Sequence, residues 1–264
     1  MTLPCEQLLE GSRDPAGLAP LIEQAETVLR TWQPSWSLFL EAPLQEEGLE
    51  RLNGLSELSW HRDGGFPGAE RCRLFCQRSS PDDESTQEAI RAPISGLLIE
   101  GNFLFDPLSP GDLRRALQDM GASADALGDL WVRGDRGGQG LVTPEFASAL
   151  HEHRGQIRDV EIRCEQVDLS QLQLPAQRNP KTLTTVEASC RIDAIASAGF
   201  GLSRSKVVSQ IKAGRLRLNW LPVRQAGREI NVGDRLQLQD RGSLEVLSCQ
   251  RTKRERWRIE LRRR

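Results

Sequence analysis

Positively charged side chains are concentrated in the last third of this chain, where they could bind phosphate groups. Residues 181–264 contain 19 Lys and Arg against 8 Asp and Glu, a net charge of +11. Residues 1–180 contain the other 16 cations against 29 acids, a net charge of −13. A basic segment joined to an acidic body indicates that a polyanion such as nucleic acid binds at the C-terminal end.

Two short helices are predicted to position part of this charge. Residues 189–200 have the apolar spacing of a helix, and residues 203–213 have it again, with a serine at the N-cap position. Gly214 supplies the stop after the second helix. Lys206 and Lys212 point away from its apolar stripe, which makes them candidates for phosphate contacts.

Strict alternation after these helices predicts a strand. Leu216, Leu218 and Trp220 fall on one face, which we expect to be buried. The other face presents Arg215, Arg217 and Asn219 to solvent. Similar alternation predicts further strands of a small sheet at 235–239, 244–249 and 256–262.

This part of the chain resembles the S4 RNA-binding domain in RIDAIASAGFGLSRSKVVSQIKAGRLRLNW and in the INVGDRLQL turn that follows. The matching residues are Arg191, Asp193, Ser203, Arg204, Gly214, Asn219, Gly233 and Asp234. The resemblance implies two short helices on a small twisted sheet, which grip structured RNA through phosphate and 2′-hydroxyl groups. Together with the outward positions, it gives a predicted RNA-binding set of Arg191, Ser203, Arg204, Lys206, Lys212, Arg215, Arg217 and Asn219.

Two parts of this basic surface allow a second interpretation. Arg204 lies close to the apolar stripe of its helix, so an ion pair with Asp193 across the helix pair is an alternative to a phosphate contact. The basic tail at 251–264 either extends the surface or is a flexible end that only adds salt-sensitive affinity.

The acidic body is predicted to contain two subdomains, which makes the whole chain α+β. Residues 91–173 have the element order β-α-β-β-α-β, the split βαβ plan of ferredoxin-like and RNA-recognition folds. Their central strands lack the aromatic residues that stack on bases, which favours a scaffold or protein-contacting role. Residues 1–90 predict an N-terminal α/β subdomain with a polar linker at 81–85, and a second linker at 174–181 precedes the S4-type domain at 182–264.

Few residues of the body suit metal or cofactor chemistry, and we expect neither. His151 and His153 would lie about 200° apart on a helix, too far around it to converge on one ion. Cys72 and Cys76 fall on one side of a predicted strand and suit core packing. The glycine-rich segment at 134–140 lies between two strands and predicts a hairpin turn rather than a dinucleotide loop.

Longer stretches of the chain resemble one bacterial family. GGFPGAERCRLF, LLIEGNFLFDPLSPGDLRRALQDMGASADALGDLWV and the S4-type segment are similar to YlmH-type proteins, whose photosynthetic members are called photosystem II S4 domain proteins. One departure is Gly111, where relatives usually carry Arg. The resemblance implies binding to ribosomal or transfer RNA, and attachment to the large ribosomal subunit during rescue of stalled chains.

Three functions follow from these patterns. The first is a non-catalytic RNA-binding protein, which we expect to be a monomer. We expect it in the cytoplasm because no membrane span or secretion signal is visible. The second is an RNA-modifying or RNA-cleaving enzyme around Glu70, Arg71 and Asp106, which a cleft that also gathers Asp129 would favour. The third is an interaction factor for photosystem assembly.

Overall fold

The computed structural model describes residues 3–79, 90–175, 180–238 and 241–263. The chain divides into two compact units, Met1–Pro175 and Ala176–Arg264. Both units combine helices with antiparallel sheets, which confirms the α+β class. The division of the body at residue 90 stays a prediction, and the polar linker at 81–85 lies outside the described residues.

The first unit begins with a small sheet covered by a helix. Its helices and strands are α1 (Cys5–Leu9), α2 (Pro15–Thr31), β1 (Ser35–Trp36), α3 (Ala42–Leu52), β2 (Leu58–Asp63) and β3 (Arg73–Arg78). The antiparallel sheet has the order β1-β3-β2, and α2 packs on one of its faces through a core that includes Leu21, Leu74 and Cys76. Strand β1 ends at Trp36, because the chain then leaves β3 except for one isolated bridge between Leu40 and Cys72.

A five-stranded antiparallel sheet forms the rest of the first unit. The elements are β4 (Ser95–Gly101), α4 (Pro110–Asp119), β5 (Leu127–Val132), β6 (Gly137–Val142), α5 (Pro144–Leu150), β7 (Arg154–Ile157) and β8 (Val160–Val167). The sheet order is β5-β6-β4-β8-β7. The four strands that the sequence predicted, β4, β5, β6 and β8, lie in the order of the split βαβ plan. Strand β7, which the sequence did not predict, adds an edge strand beside β8.

Both faces of this sheet are covered. Helices α4 and α5 pack on one face, with Leu97, Ile99 and Leu113 in the core between them. The other face packs against Phe39 and Leu172, with more partly buried apolar side chains around them. RNA-recognition folds stack bases on that second face, so its burial agrees with the absence of aromatic residues from β4 and β6.

The glycine-rich segment is partly a strand rather than a turn throughout. The turn predicted at 134–140 already becomes β6 at Gly137. A Cβ atom at Gly138 would overlap the side chain of Leu113, and one at Gly140 would overlap that of Leu130. These glycines therefore serve close packing onto the sheet, a use that local sequence patterns do not distinguish from a turn.

The second unit is a two-helix layer on a six-stranded antiparallel sheet. Its elements are β9 (Lys181–Glu187), α6 (Ile192–Phe200), α7 (Arg204–Lys212), β10 (Leu216–Leu218), β11 (Leu221–Pro222), β12 (Arg235–Leu238), β13 (Gly242–Arg251) and β14 (Trp257–Arg263). The sheet order is β11-β10-β12-β13-β14-β9. Strand β9 was missed: it begins at Lys181, inside the predicted linker, and pairs with β14 along its whole length.

Two kinds of feature are absent from the residues that the structure describes. In the described part of the chain, no helix is long and apolar enough to cross a membrane. Across those same ranges, no group of three or more His, Cys, Asp and Glu side chains is arranged to hold a metal ion.

Candidate RNA interface

Helix α7 carries two of the predicted cations on its solvent side. The Ser203 hydroxyl caps the helix by accepting the Lys206 N–H at 3.3 Å. Val207 and Ile211 point into the core of the second unit and are buried. Lys206 and Lys212 are exposed, as the helical spacing predicted.

Strand β10 places two more cations at the surface. The chain turns at Gly214, whose φ of 69° suits a residue without a side chain. Leu216 and Leu218 are then buried, whereas Arg215 and Arg217 are exposed. Period-two alternation therefore holds over residues 215–218, and it turns the guanidinium groups outward.

Arg191 is held in place at the start of α6. Its Nε and Nη2 donate to the two carboxylate oxygens of Asp193 at 3.1 and 3.2 Å, and these bonds raise the pKa of Arg191. Its guanidinium also lies against Gly227, where a side chain would crowd it. The Arg191 side chain remains 48% exposed, so a fixed cation still faces solvent.

The ion pair that the sequence suggested between Arg204 and Asp193 is wrong. Arg204 instead contacts Glu187, with 3.3 Å between Nη2 and Oε2. Asp193 is buried and already binds Arg191 and the Ala194 N–H. Because Glu187 ends β9, the correct partner depended on a strand that the sequence did not reveal.

Asn219 and Trp220 form a turn rather than the end of a strand. Their φ angles are 47° and 69°, so the alternation that was expected to bury Trp220 stops at Leu218. The Asn219 amide donates to the Asp234 carboxylate at 2.7 Å and accepts the Arg235 N–H at 2.8 Å. The Asn219 side chain is therefore committed to joining two turns, and an RNA contact by it stays a prediction.

The predicted set thus separates into cations with and without acidic partners. Arg191 and Arg204 each pair with one carboxylate and remain about half exposed. Four exposed cations make no ion pair with any acid that the structure describes: Lys206, Lys212, Arg215 and Arg217. These four are free to meet phosphate oxygens.

The alternative site in the first unit is built differently. The Asp129 carboxylate accepts the Glu70 N–H at 2.7 Å and the Arg71 N–H at 3.0 Å. Burial raises the pKa of Asp129, and the two N–H donors and the nearby guanidinium groups of Arg71 and Arg114 oppose that rise. Asp129 thus fastens the segment before β3 to strand β5.

Arg71 is also fully engaged. Its guanidinium donates to the carbonyl oxygens of Leu127 and Ala124 at 2.7 and 2.9 Å, and to the Glu41 carboxylate at 2.9 Å. Only 11% of its side chain is exposed. Such an arrangement locks two segments of backbone together and leaves the guanidinium little capacity for a substrate.

Asp106 does not join this group. Its carboxylate lies 2.8 Å from Nε of Arg158, in the turn between β7 and β8. Asp129 lies on β5, and β5 and β7 are opposite edges of the sheet, which puts them on the order of 20 Å apart. The cleft that would have favoured an enzyme at Glu70, Asp106 and Asp129 is therefore not formed.

The cysteines singled out in the sequence lie in or beside the core. Cys76 belongs to the core under α2, and Cys72, four residues earlier in the chain, is also buried. Burial raises the pKa of Cys72 to about 11 and that of Cys76 to about 12. Both thiols therefore stay protonated near neutral pH. The prediction of core packing is confirmed for Cys76, and Cys72 is buried outside the core clusters.

Comparisons with known proteins match both ends of the chain. The YlmH N-terminal family matches residues 14–80, and the S4 domain family matches residues 190–236. A Bacillus subtilis (strain 168) protein named "Ribosome-associated protein quality control protein P2" is 24% identical over 220 residues, or 82% of each chain. The solved "Cell division protein ylmH from Streptococcus pneumoniae" is 15% identical with a TM-score of 0.45, over 60% of this chain and 92% of that one. The chain is therefore similar to YlmH proteins: a segment that matches the YlmH N-terminal family is followed by one that matches the S4 domain family.

Proposed function

We propose that this protein is a non-catalytic RNA-binding protein that grips structured RNA through its second unit, Ala176–Arg264, which contains the S4 match and is called the S4 unit below. The observation that carries the proposal is the set of four exposed cations on α7 and β10, which have no acidic partner among the described residues. Arg191 and Arg204 flank them and remain about half exposed. Six cations on one pair of helices and the following strand suit the closely spaced phosphates of a folded RNA.

The recognition would depend on backbone shape more than on base sequence. A-form RNA has a deep, narrow major groove that side chains do not enter, so phosphate and 2′-hydroxyl contacts dominate. Asp193 holds the Arg191 guanidinium in one orientation, which reduces the entropy lost when it binds a phosphate. Lys206 and Lys212 are flexible by comparison and would add charge rather than geometry.

We further propose that the RNA is ribosomal or transfer RNA and that the protein acts on the large ribosomal subunit. The S4 domain, together with a relative whose name calls it ribosome-associated, supports an RNA- or ribosome-associated function. The finer assignment extends that support to a particular RNA and subunit. Such a partner implies action in the cytoplasm, where translating ribosomes are found.

The absence of catalysis is part of the same proposal. Two of the charged residues considered for an active site, Arg71 and Asp129, form their hydrogen bonds with backbone groups and, for Arg71, with Glu41. Another, Asp106, is bound to Arg158 near the opposite edge of the sheet. A scaffold role accounts for these contacts without a reaction.

Crosslinking of the full chain to RNA in living cells, followed by sequencing, tests the proposal. The matched control is the Lys206→Ala, Lys212→Ala, Arg215→Ala triple variant, whose three positions are exposed and contribute little to stability. We expect ribosomal or transfer RNA from the parent protein and a severalfold lower yield from the folded triple variant. Equal yields from both proteins, or recovery of neither RNA class, would contradict the proposal.

A further inference from the structure

A row of aromatic side chains crosses the outer face of the small N-terminal sheet. In the strand register, Trp36 of β1 lies beside Phe75 of β3, and Phe75 lies beside His61 of β2. The opposite face of these strands carries Leu74 and Cys76 and packs under α2. We call Trp36, Phe75 and His61 the aromatic row.

The aromatic row is not part of a hydrophobic core. Neither Trp36 nor Phe75 packs against any of the cores that the described residues form, although their ring centroids are 5.0 Å apart at an interplanar angle of 46°. Both rings are partly exposed, and His61 is exposed. Burial therefore does not explain why three π systems share this face.

Charge on this face does not oppose an anionic ligand. Among the described residues that point outward from β1, β2 and β3, Asp63 is the only acid. Its two carboxylate oxygens accept the Gly65 and Ala92 N–H groups at 2.8 and 2.9 Å. The acidic character of the body is thus not concentrated here.

A cation also lies at the edge of the same sheet. Trp32, in the segment that leads into β1, is 71% exposed. The guanidinium carbon of Arg78, the last residue of β3, lies 3.7 Å from the centroid of the Trp32 ring, and Nη2 of Arg78 also lies 3.7 Å from a carboxylate oxygen of Glu57. Glu57 therefore partly balances the charge of Arg78, and the exposed indole with its stacked guanidinium adds a π surface of the kind found where proteins bind single-stranded nucleic acid.

We infer that the aromatic row is a second RNA contact, on which unpaired bases stack. The inference rests on the proposed function in taking RNA as the partner, but it concerns the first unit and a different interaction. Aromatic rings on adjacent strands are how small sheets bind two or three unstacked bases. Stacking uses the π face of a base and few phosphate contacts, so it is compatible with a unit whose net charge is negative.

The test uses the full chain and an oligoadenylate of about eight nucleotides in about 300 mM salt, where phosphate contacts are weakened and stacking persists. Binding is followed by quenching of tryptophan fluorescence. Phe75→Leu keeps the apolar bulk and removes the ring, and we expect its affinity to fall on the order of 5- to 100-fold. Trp36→Phe keeps a ring at its position, so it should retain most of the affinity while losing part of the signal.

Two control variants separate this contact from the S4 unit and from nonspecific adhesion. Phe105→Ala removes a ring that is 94% exposed outside the aromatic row, and it should leave the affinity unchanged. The Lys206→Ala, Lys212→Ala, Arg215→Ala variant should also leave it unchanged, because these residues lie in the other unit. Circular dichroism of each variant checks that it is folded.

Three results would overturn the inference. In the first, folded Phe75→Leu binds the oligonucleotide as tightly as the parent protein does. In the second, the Lys206→Ala, Lys212→Ala, Arg215→Ala variant abolishes the quenching; the oligonucleotide then binds the S4 unit, and only the proposed function stands. In the third, the oligonucleotide does not bind, and a protein that the parent chain retains from cell extract after ribonuclease treatment is not retained by Trp36→Ala. That result would assign the aromatic row to a protein.

Discussion

Replacing Asp129 with Ala is expected to destabilise the first unit without removing a reaction. The carboxylate accepts two backbone N–H groups, from Glu70 and Arg71, which lie almost 60 residues earlier in the chain. Alanine leaves both donors without this partner. Because the site is partly buried, water replaces the carboxylate only in part.

The size of the effect follows from those two hydrogen bonds. Each hydrogen bond to a charged acceptor contributes roughly 1.5–3 kcal/mol, and the variant recovers some of this because a carboxylate is no longer desolvated. We expect a net loss of about 1–3 kcal/mol. For a unit of this size that corresponds to a fall in the melting temperature of about 3–10 °C.

The loss should also depend on pH. Burial raises the pKa of Asp129, so the folded protein binds the proton more tightly than the unfolded chain does. The part of its contribution to stability that is linked to proton binding is therefore fully present below its unfolded-state pKa of about 4 and is lost as the pH rises through the folded-state value, whereas the hydrogen bonds to the carboxylate remain. The gap in stability between parent and variant should narrow between acid and neutral pH.

Calorimetry of the full chain at several pH values measures the unfolding of both units. The control is Asp106→Ala, which breaks a half-exposed ion pair with Arg158 and should change stability by less than about 1 kcal/mol. Unchanged melting of Asp129→Ala, combined with loss of turnover on an RNA substrate, would refute the structural role and support an enzyme.

Four further variants, in two pairs, test the packing of the first unit and the contacts of the S4 unit by thermal melting. Gly137→Ala should destabilise the first unit by more than about 3 kcal/mol, because φ is 111° and the new Cβ would overlap the Ile99 carbonyl oxygen. Gly134→Ala should destabilise it by only about 1–2 kcal/mol, because φ is 61° and the space around the new Cβ is open. Asp193→Ala should lower the melting temperature of the S4 unit more than Arg204→Ala, because Asp193 is buried and binds two groups, whereas Arg204 is about half exposed and makes one contact, with Glu187. Equal effects within either pair would contradict the contacts on which these expectations depend.

Local patterns predicted the helices and the outward cations of the S4 unit well. The N-cap at Ser203, the apolar stripe of α7 and the exposure of Arg215 and Arg217 each follow from a few neighbouring residues. Such features depend on backbone periodicity, which the sequence displays directly. The RNA-binding role of these residues stays a prediction.

Features that depend on distant segments were beyond local patterns. The partner of Arg204 lies on β9, whose only signal was a β-branched stretch pairing with β14 some 70 residues later. The aromatic row was missed because register across β1, β2 and β3 brings its members together from three separate segments. The prediction that Trp220 is buried was wrong for a local reason. A hydrogen-bonded turn at Asn219 ends the alternation of buried and exposed residues, which looked continuous in the sequence.

The salt dependence of RNA binding tests the central claim most directly. The affinity of the full chain for transfer RNA is measured between about 50 and 300 mM salt, where roughly five phosphate contacts give a log–log slope of about −3 to −5. The folded Lys206→Ala, Lys212→Ala, Arg215→Ala variant should bind more weakly and with a slope shallower by about 2–3. Affinity that is equal at both ends of this range, or a variant slope identical to that of the parent, would contradict a phosphate grip by the S4 unit.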